Sequence, residues 1–101
     1  MGSGPYPVMK VGKFQFENLM RTPVSYLLLD LRPADAYPRF PRQMKTTEEE
    51  ALRVVQSNLR NKSDPIIVIC QDGALSDRVA QKILEAGYIN VVWLEGGCEV
   101  L

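Results

Sequence analysis

Residues 65–87, PIIVICQDGALSDRVAQKILEAG, constrain the fold of this chain more than any other stretch. They join an apolar run, a cysteine, a short polar loop and an amphipathic pattern. Ile66 to Ile69 are β-branched and do not alternate with polar residues, which predicts a strand buried on both faces, as in a parallel sheet. Pro65 suits the strand's first position, where no ladder donor is lost. After the loop, Val79, Ala80, Ile83 and Leu84 recur at helical spacing, and Gly87 is a natural stop. Cys70 therefore stands at the carboxyl end of a buried strand. There the chain turns through Gln71, Asp72, Gly73, Ala74, Leu75 and Ser76 into a helix. Open α/β sheets carry ligand sites at that place.

The rest of the chain repeats the alternation. Residues 5–11 (PYPVMKV) predict an edge strand after a proline-limited lead. Residues 13–21 (KFQFENLMR) place Phe14 or Phe16, Leu19 and Met20 on a short helix, which Thr22-Pro23 breaks. Residues 26–31 (YLLLDL) are a second apolar run without alternation, and so a second central strand. Pro33 is placed to open a short helix over Ala34, Asp35, Ala36 and Tyr37. Pro38 and Pro41 keep Arg39 and Phe40 irregular, and residues 43–45 predict a brief strand.

Thr46 and Thr47 precede Glu49 and Glu50 at capping-box spacing. The helix they open puts Ala51, Leu52, Val55 and Leu59 on one side and ends near residues 61–64. Residues 90–94 (NVVWL) predict a last strand, from which Glu95-Gly96-Gly97-Cys98 turns away. About five strands alternating with helical patterns indicate an α/β domain with a mostly parallel sheet.

Composition limits the partners. A chain of 101 residues can bury one core but not two. Twelve basic residues balance twelve acidic ones, so no general attraction to nucleic acid or to an anionic membrane is implied. No apolar run approaches the length of a membrane span, and the amino end lacks the regions of a signal peptide. Met1-Gly2-Ser3-Gly4 looks like an expression scar, leaving residues 5–101 as the domain. Two cysteines are too few for a disulfide framework, and a reducing, cytoplasmic compartment is expected. The chain has no histidine, which removes a Cys-His hydrolase and a His-based zinc site from consideration.

Three segments, in order and spacing, resemble one family. Asp30-Leu31-Arg32-Pro33-Ala34-Asp35-Ala36-Tyr37 resembles the D-x-R stretch of rhodanese-like domains. Cys70 to Ser76 falls where that family carries its active-site loop, C-x-x-G-x-[RK]-S. Ala86-Gly87-Tyr88 with residues 91–97 is similar to the family's A-G-[FY]…V-x-x-L-x-G-G ending. The resemblance spans residues 8–97 and implies a single rhodanese-like domain, its sheet flanked by helices on both faces. It also implies sulfurtransferase chemistry. A sulfane sulfur from a small donor such as thiosulfate moves onto the loop cysteine. The persulfide then passes to a thiol, to cyanide or to a protein acceptor. No cofactor and no metal are implied.

The chemistry expected of the loop has a physical basis. A thiolate is the nucleophile, and the amino end of a helix favours negative charge. A tight loop entering that helix points several backbone N–H groups into one concavity, a site for an anionic donor or a persulfide. On this reading Cys70 is the catalytic nucleophile and residues 71–76 form the substrate-binding cradle. Gly73 supplies conformational freedom, and Ser76 caps the helix and offers a hydroxyl.

Asp30, Arg32 and Arg78 are supporting residues. For the first two, a structural role tying loops together is the stronger expectation. Trp93 reads as core. Cys98 reads as an incidental cysteine in a terminal turn, with a resolving thiol as the sharper alternative. Arg39 and Arg42 around Phe40 read as a solvated loop, with a partner patch as the alternative.

The departures from the family pattern support a second function. Leu75 stands where active members commonly carry a basic residue, and Asp72 and Asp77 add negative charge. The H-I-x-G-A segment is replaced by residues 38–42. The chain stops short of the helix that usually follows the double glycine, as a domain cut from a longer protein would. A catalytically idle rhodanese-like module, docking or regulating within a larger protein, is therefore the alternative to a sulfurtransferase that is weak with thiosulfate. The related phosphatases need C-x5-R; position 76 is serine, and phosphatase activity is excluded.

Overall fold

The computed structural model describes residues 9–23, 25–36, 39–40 and 42–101. Among them, five strands form one parallel sheet: β1 (Met9–Val11), β2 (Leu27–Asp30), β3 (Gln43–Lys45), β4 (Ile66–Ile69) and β5 (Val91–Leu94), in the order β1-β5-β4-β2-β3. The helices are α1 (Lys13–Arg21), α2 (Ala51–Asn58) and α3 (Ala74–Glu85), with a closing 3₁₀ turn over Gly97–Val100. No helix among the described residues is long and apolar enough to cross a membrane.

The two unalternating runs are the centre of the sheet. β2 and β4 pair in register, Leu27 with Ile66 and Asp30 with Ile69, and all eight of their residues are buried. Successive side chains point to opposite faces. Leu27, Leu29, Ile66 and Val68 pack with Val55 of α2 and with Val79, Ala80 and Ile83 of α3. Leu28, Ile67 and Ile69 pack with Phe16 of α1, Leu94 and Cys98. A strand covered on both faces has no polar side to show, which is why its sequence lacks alternation.

The chain moves outward from β2 to β3, then crosses back to β4 and on to β5. The reversal puts the carboxyl ends of β2 and β4 side by side, the crevice where open α/β sheets bind ligands. Asp30 ends β2 and Cys70 follows β4.

Several expectations change in detail. Among the described residues no short helix follows Pro33. Ala34 and Asp35 make a single turn, closed by the Ala36 N–H donating to the Pro33 carbonyl at 3.0 Å. A segment this short, with proline at each end, cannot repay helix nucleation. Thr47 does accept a hydrogen bond from the Glu50 N–H at 3.3 Å, but the α-helix starts only at Ala51 and stops at Asn58, before residues 61–64. The expected edge strand appears as Met9–Val11; its proposed start at residues 5–8 lies outside the described residues, as do Tyr37, Pro38 and Pro41.

Candidate active site

Beyond Ile69 the chain leaves the sheet at Cys70, and Gly73 bends it into α3 with φ +94°, a left-handed conformation that side-chain-bearing residues rarely adopt. Gly73 is the N-cap of α3, so Ser76 lies within the first turn and not at the cap. The left-handed turn starts the helix three residues earlier than a Ser76 cap would. It leaves the Ser76 hydroxyl fully buried, donating to the Gly73 carbonyl at 3.1 Å.

This geometry wraps the loop around one sulfur. The backbone N–H of Gly73 donates to Cys70 Sγ at 3.1 Å, and that of Ser76 donates to the same atom at 3.3 Å. The thiol in turn faces Ser76 Oγ at 3.3 Å. Two amide donors and the amino end of α3 thus converge on the Cys70 sulfur, while the Ser76 hydroxyl, its proton given to the Gly73 carbonyl, accepts from the thiol.

Asp72 is the dissonant neighbour. Its Oδ1 stands 3.9 Å from the sulfur and accepts the Ala74 N–H at 3.0 Å. Gln71, Asp72 and Ala74 are exposed, and Leu75 is half-buried.

The closing turn props the loop from behind. Cys98 N–H donates to the Cys70 carbonyl at 2.9 Å, and Glu99 N–H to the Gln71 carbonyl at 3.1 Å. Gly97, at φ +69°, lies so close that a Cβ there would stand 2.5 Å from both the Gln71 carbonyl oxygen and the Gly73 nitrogen. Trp93 also turns out to flank the loop: its ring is 3.3 Å from where a Gly73 Cβ would be. Neither contact was visible as such in the sequence; the double glycine was the available signal.

Asp30 and Arg32 come together next to this loop, without touching the Cys70 sulfur in any hydrogen bond. The buried carboxylate of Asp30 receives Arg32 Nε at 2.9 Å and Nη2 at 3.0 Å, together with the Arg32 backbone N–H at 2.9 Å. Lys45 is a second partner residue, at 2.7 Å. Burial disfavours the Asp30 charge, but the Arg32 and Lys45 bonds outweigh it and hold the carboxyl below its ordinary range. The Arg32 guanidinium also stacks over Phe40, 5.2 Å from the ring centroid, and Phe40 meets Phe16 edge-on at 5.3 Å. Phe40 is therefore a packed link between loops. Arg39 is exposed, and Arg42 lies over Tyr26 at 5.5 Å.

Arg78 is directed elsewhere. Its Nε and Nη2 fork onto Glu48 at 2.6 and 3.1 Å, and Lys82 joins at 3.0 Å. The two cations hold the Glu48 carboxyl down to about 2. Between this cluster and the loop lies an open groove of about 670 Å³, lined by Leu31, Arg32, Lys45, Thr46, Glu48 and Leu75 among others. Leu75 is the wall that the groove shares with the Cys70 loop.

The rhodanese-like domain family model matches residues 15–100. Among solved structures, a rhodanese homolog from the extremely thermophilic bacterium Thermus thermophilus is 27% identical, with a TM-score of 0.66, 91% of this chain covered and 99% of the other. A rhodanese-like domain protein from Staphylococcus aureus is 21% identical, with a TM-score of 0.71 and coverage of 91% and 89%. A NAD-dependent persulfide reductase from A. fulgidus is 20% identical, with a TM-score of 0.69; the match covers 91% of this chain but 16% of that one. No curated protein matches the chain.

Proposed function

The chain belongs to the rhodanese-like domain family, and on that premise we propose that it moves a sulfane sulfur through a persulfide on Cys70. The observation that carries the reading is the pair of amide donors, Gly73 and Ser76, aimed at one sulfur. In the forward step the Cys70 thiolate attacks the outer sulfur of the donor. A new S–S bond forms, the donor's own S–S bond breaks, and the leaving group departs with the electron pair. The charge then sits on the outer sulfur of the persulfide. The Ser76 hydroxyl can rotate from the Gly73 carbonyl toward that sulfur, so charge that develops in the transition state meets a donor already in place.

A thiol or protein acceptor then takes the outer sulfur, returning Cys70 to the thiolate. The open groove that shares Leu75 with the loop is of a size to hold a small thiol or one side chain of a protein acceptor. Two free cysteines suit a reducing cytoplasm, and the balanced charge suits neither nucleic acid nor membrane as partner.

Intact-mass measurement after incubation with a donor tests the reading. The expected result is a gain of one sulfur atom that disappears in Cys70→Ser. A folded protein that gains no sulfur from any donor overturns it. That outcome would favour a second reading, an idle module that docks or regulates within a larger protein. Asp72 beside the thiol and Arg78 held by Glu48 are the observations on its side. The match to the persulfide reductase takes up only 16% of that chain, which fits such a setting.

A further inference from the structure

We propose that Asp72 is a charge filter at the mouth of the Cys70 cradle, admitting sulfane-sulfur donors of single negative charge or none in preference to dianions. The inference rests on the sulfur-transfer reading and specifies the donor class for it.

Among the described residues the sulfur has four hydrogen-bonding neighbours, and they are not equivalent. Gly73 N, Ser76 N and Ser76 Oγ are buried on the protein side. Asp72 Oδ1, at 3.9 Å, is the one of the four that belongs to an exposed residue, and the filter has donors arrive on its side. A donor that arrives there meets a carboxylate 3.9 Å from the reacting sulfur. The same oxygen occupies the Ala74 N–H, an amide at the mouth that an incoming oxyanion would otherwise use.

Among the described residues no cation forms an ion pair with Asp72 itself, and the nearby ones are directed at other carboxylates. Arg32 and Lys45 are joined to Asp30, Arg78 and Lys82 to Glu48, and Lys10 to Glu95. Leu75 supplies no charge from within the loop, and Asp77 in the first turn of α3 adds another negative one. Repulsion scales with donor charge, so a dianion meets twice the penalty of a monoanion and a neutral donor meets none.

Two donors with the same sulfonyl–sulfur bond isolate that variable. Thiosulfate is a dianion and releases sulfite; methanethiosulfonate is a monoanion and releases methanesulfinate. In both, the Cys70 thiolate takes the outer sulfur and the leaving group keeps the bonding electrons. Loading rates are measured by intact mass at low ionic strength for the unmutated protein and for Asp72→Asn. Asparagine keeps an oxygen for the Ala74 N–H and removes the charge. Intrinsic reactivity differences between the donors cancel when the rate ratios of the two proteins are compared.

The filter predicts that Asp72→Asn raises the thiosulfate-to-methanethiosulfonate rate ratio by about threefold or more. It also predicts that added salt speeds thiosulfate loading of the unmutated protein more than methanethiosulfonate loading, because salt screens like-charge repulsion. A smaller rise in the ratio, or thiosulfate loading that slows with salt, overturns the filter and leaves sulfur transfer standing. Absence of loading from both donors in both proteins overturns sulfur transfer and the filter together.

Discussion

Cys70 and Cys98 are both buried, at 3% and 6% exposure, and both follow the carboxyl end of neighbouring strands. They are tied by one backbone bond, Cys98 N–H to the Cys70 carbonyl at 2.9 Å. Their surroundings are opposite in kind. Cys98 packs among Val11, Phe16, Leu28, Ile67 and Leu94, and burial there pushes its thiol up to about 11. Cys70 sits against two amide donors and a hydroxyl at the start of α3. Burial alone therefore does not decide what a cysteine is for. What separates the two is that donors are aimed at the Cys70 sulfur, whereas at Cys98 burial, helped by Asp30, outweighs the opposing pulls of Arg32 and Lys45. This contrast places the resolving-thiol idea for Cys98 below the structural one. A thiol that holds its proton to about pH 11 is almost entirely un-ionised near neutrality.

The largest way to break the contrast is to disturb the cradle without touching either sulfur. Gly97→Ala introduces a Cβ that would stand 2.5 Å from Gln71 O and Gly73 N, at a φ of +69°. No flexible side chain can yield there, because the atoms in the way are loop backbone. The loop must move, and the amides of Gly73 and Ser76 lose their aim. Persulfide formation should fall by about a hundredfold, with a loss of stability of about 2 kcal/mol or more. Loading rate and urea midpoint on the same preparation check this. A Gly97→Ala protein that loads as fast as the parent would mean that the cradle does not depend on this close approach.

Those contacts explain which parts of the molecule could be read in advance. Residues 27–30 and 66–69 announced themselves because a strand covered on both faces must be apolar throughout. Asp30 and Arg32 were legible as a pair because they stand two positions apart in the chain. Contacts assembled by the fold left no local trace beyond the double glycine: Lys45 on Asp30, Trp93 beside Gly73, Gly97 against the loop, and Glu48 on Arg78, 30 residues away. Ser76 was misplaced as a cap for a related reason. Serine is a common cap residue, but the left-handed turn at Gly73 starts the helix before Ser76 is reached and turns the hydroxyl inward.

A smaller effect sharpens the contrast through pH. The Cys98 thiol rises from an ordinary value of 9.0 to about 11 in the folded protein. A group whose folded value is raised adds stability that is complete below the unfolded value and disappears as pH climbs through the folded one. Cys98 should thus stabilise the fold at pH 8 and lose that contribution, about 3 kcal/mol, between pH 9 and 11. Lysines and tyrosines titrate in the same range, so the quantity to measure is the difference between the parent and Cys98→Ala. The parent's lead over the variant should shrink across that window. A constant difference would remove the account given for Cys98.

The smallest expected effect concerns charge at a distance. Glu48 binds Arg78 and Lys82, which are 62% and 54% exposed, and its release would free two cations along α3 beyond the cradle. Exposed pairs of this kind contribute little to stability, so Glu48→Gln should leave the urea midpoint nearly unmoved. The freed charges would still favour an approaching dianion, though from farther away than Asp72 opposes it. Thiosulfate loading should therefore quicken by about twofold at low salt, less than for Asp72→Asn, and the gain should vanish at high salt. An effect on thiosulfate as large as that of Asp72→Asn would mean that the surface cluster, rather than the loop carboxylate, governs which donors reach Cys70.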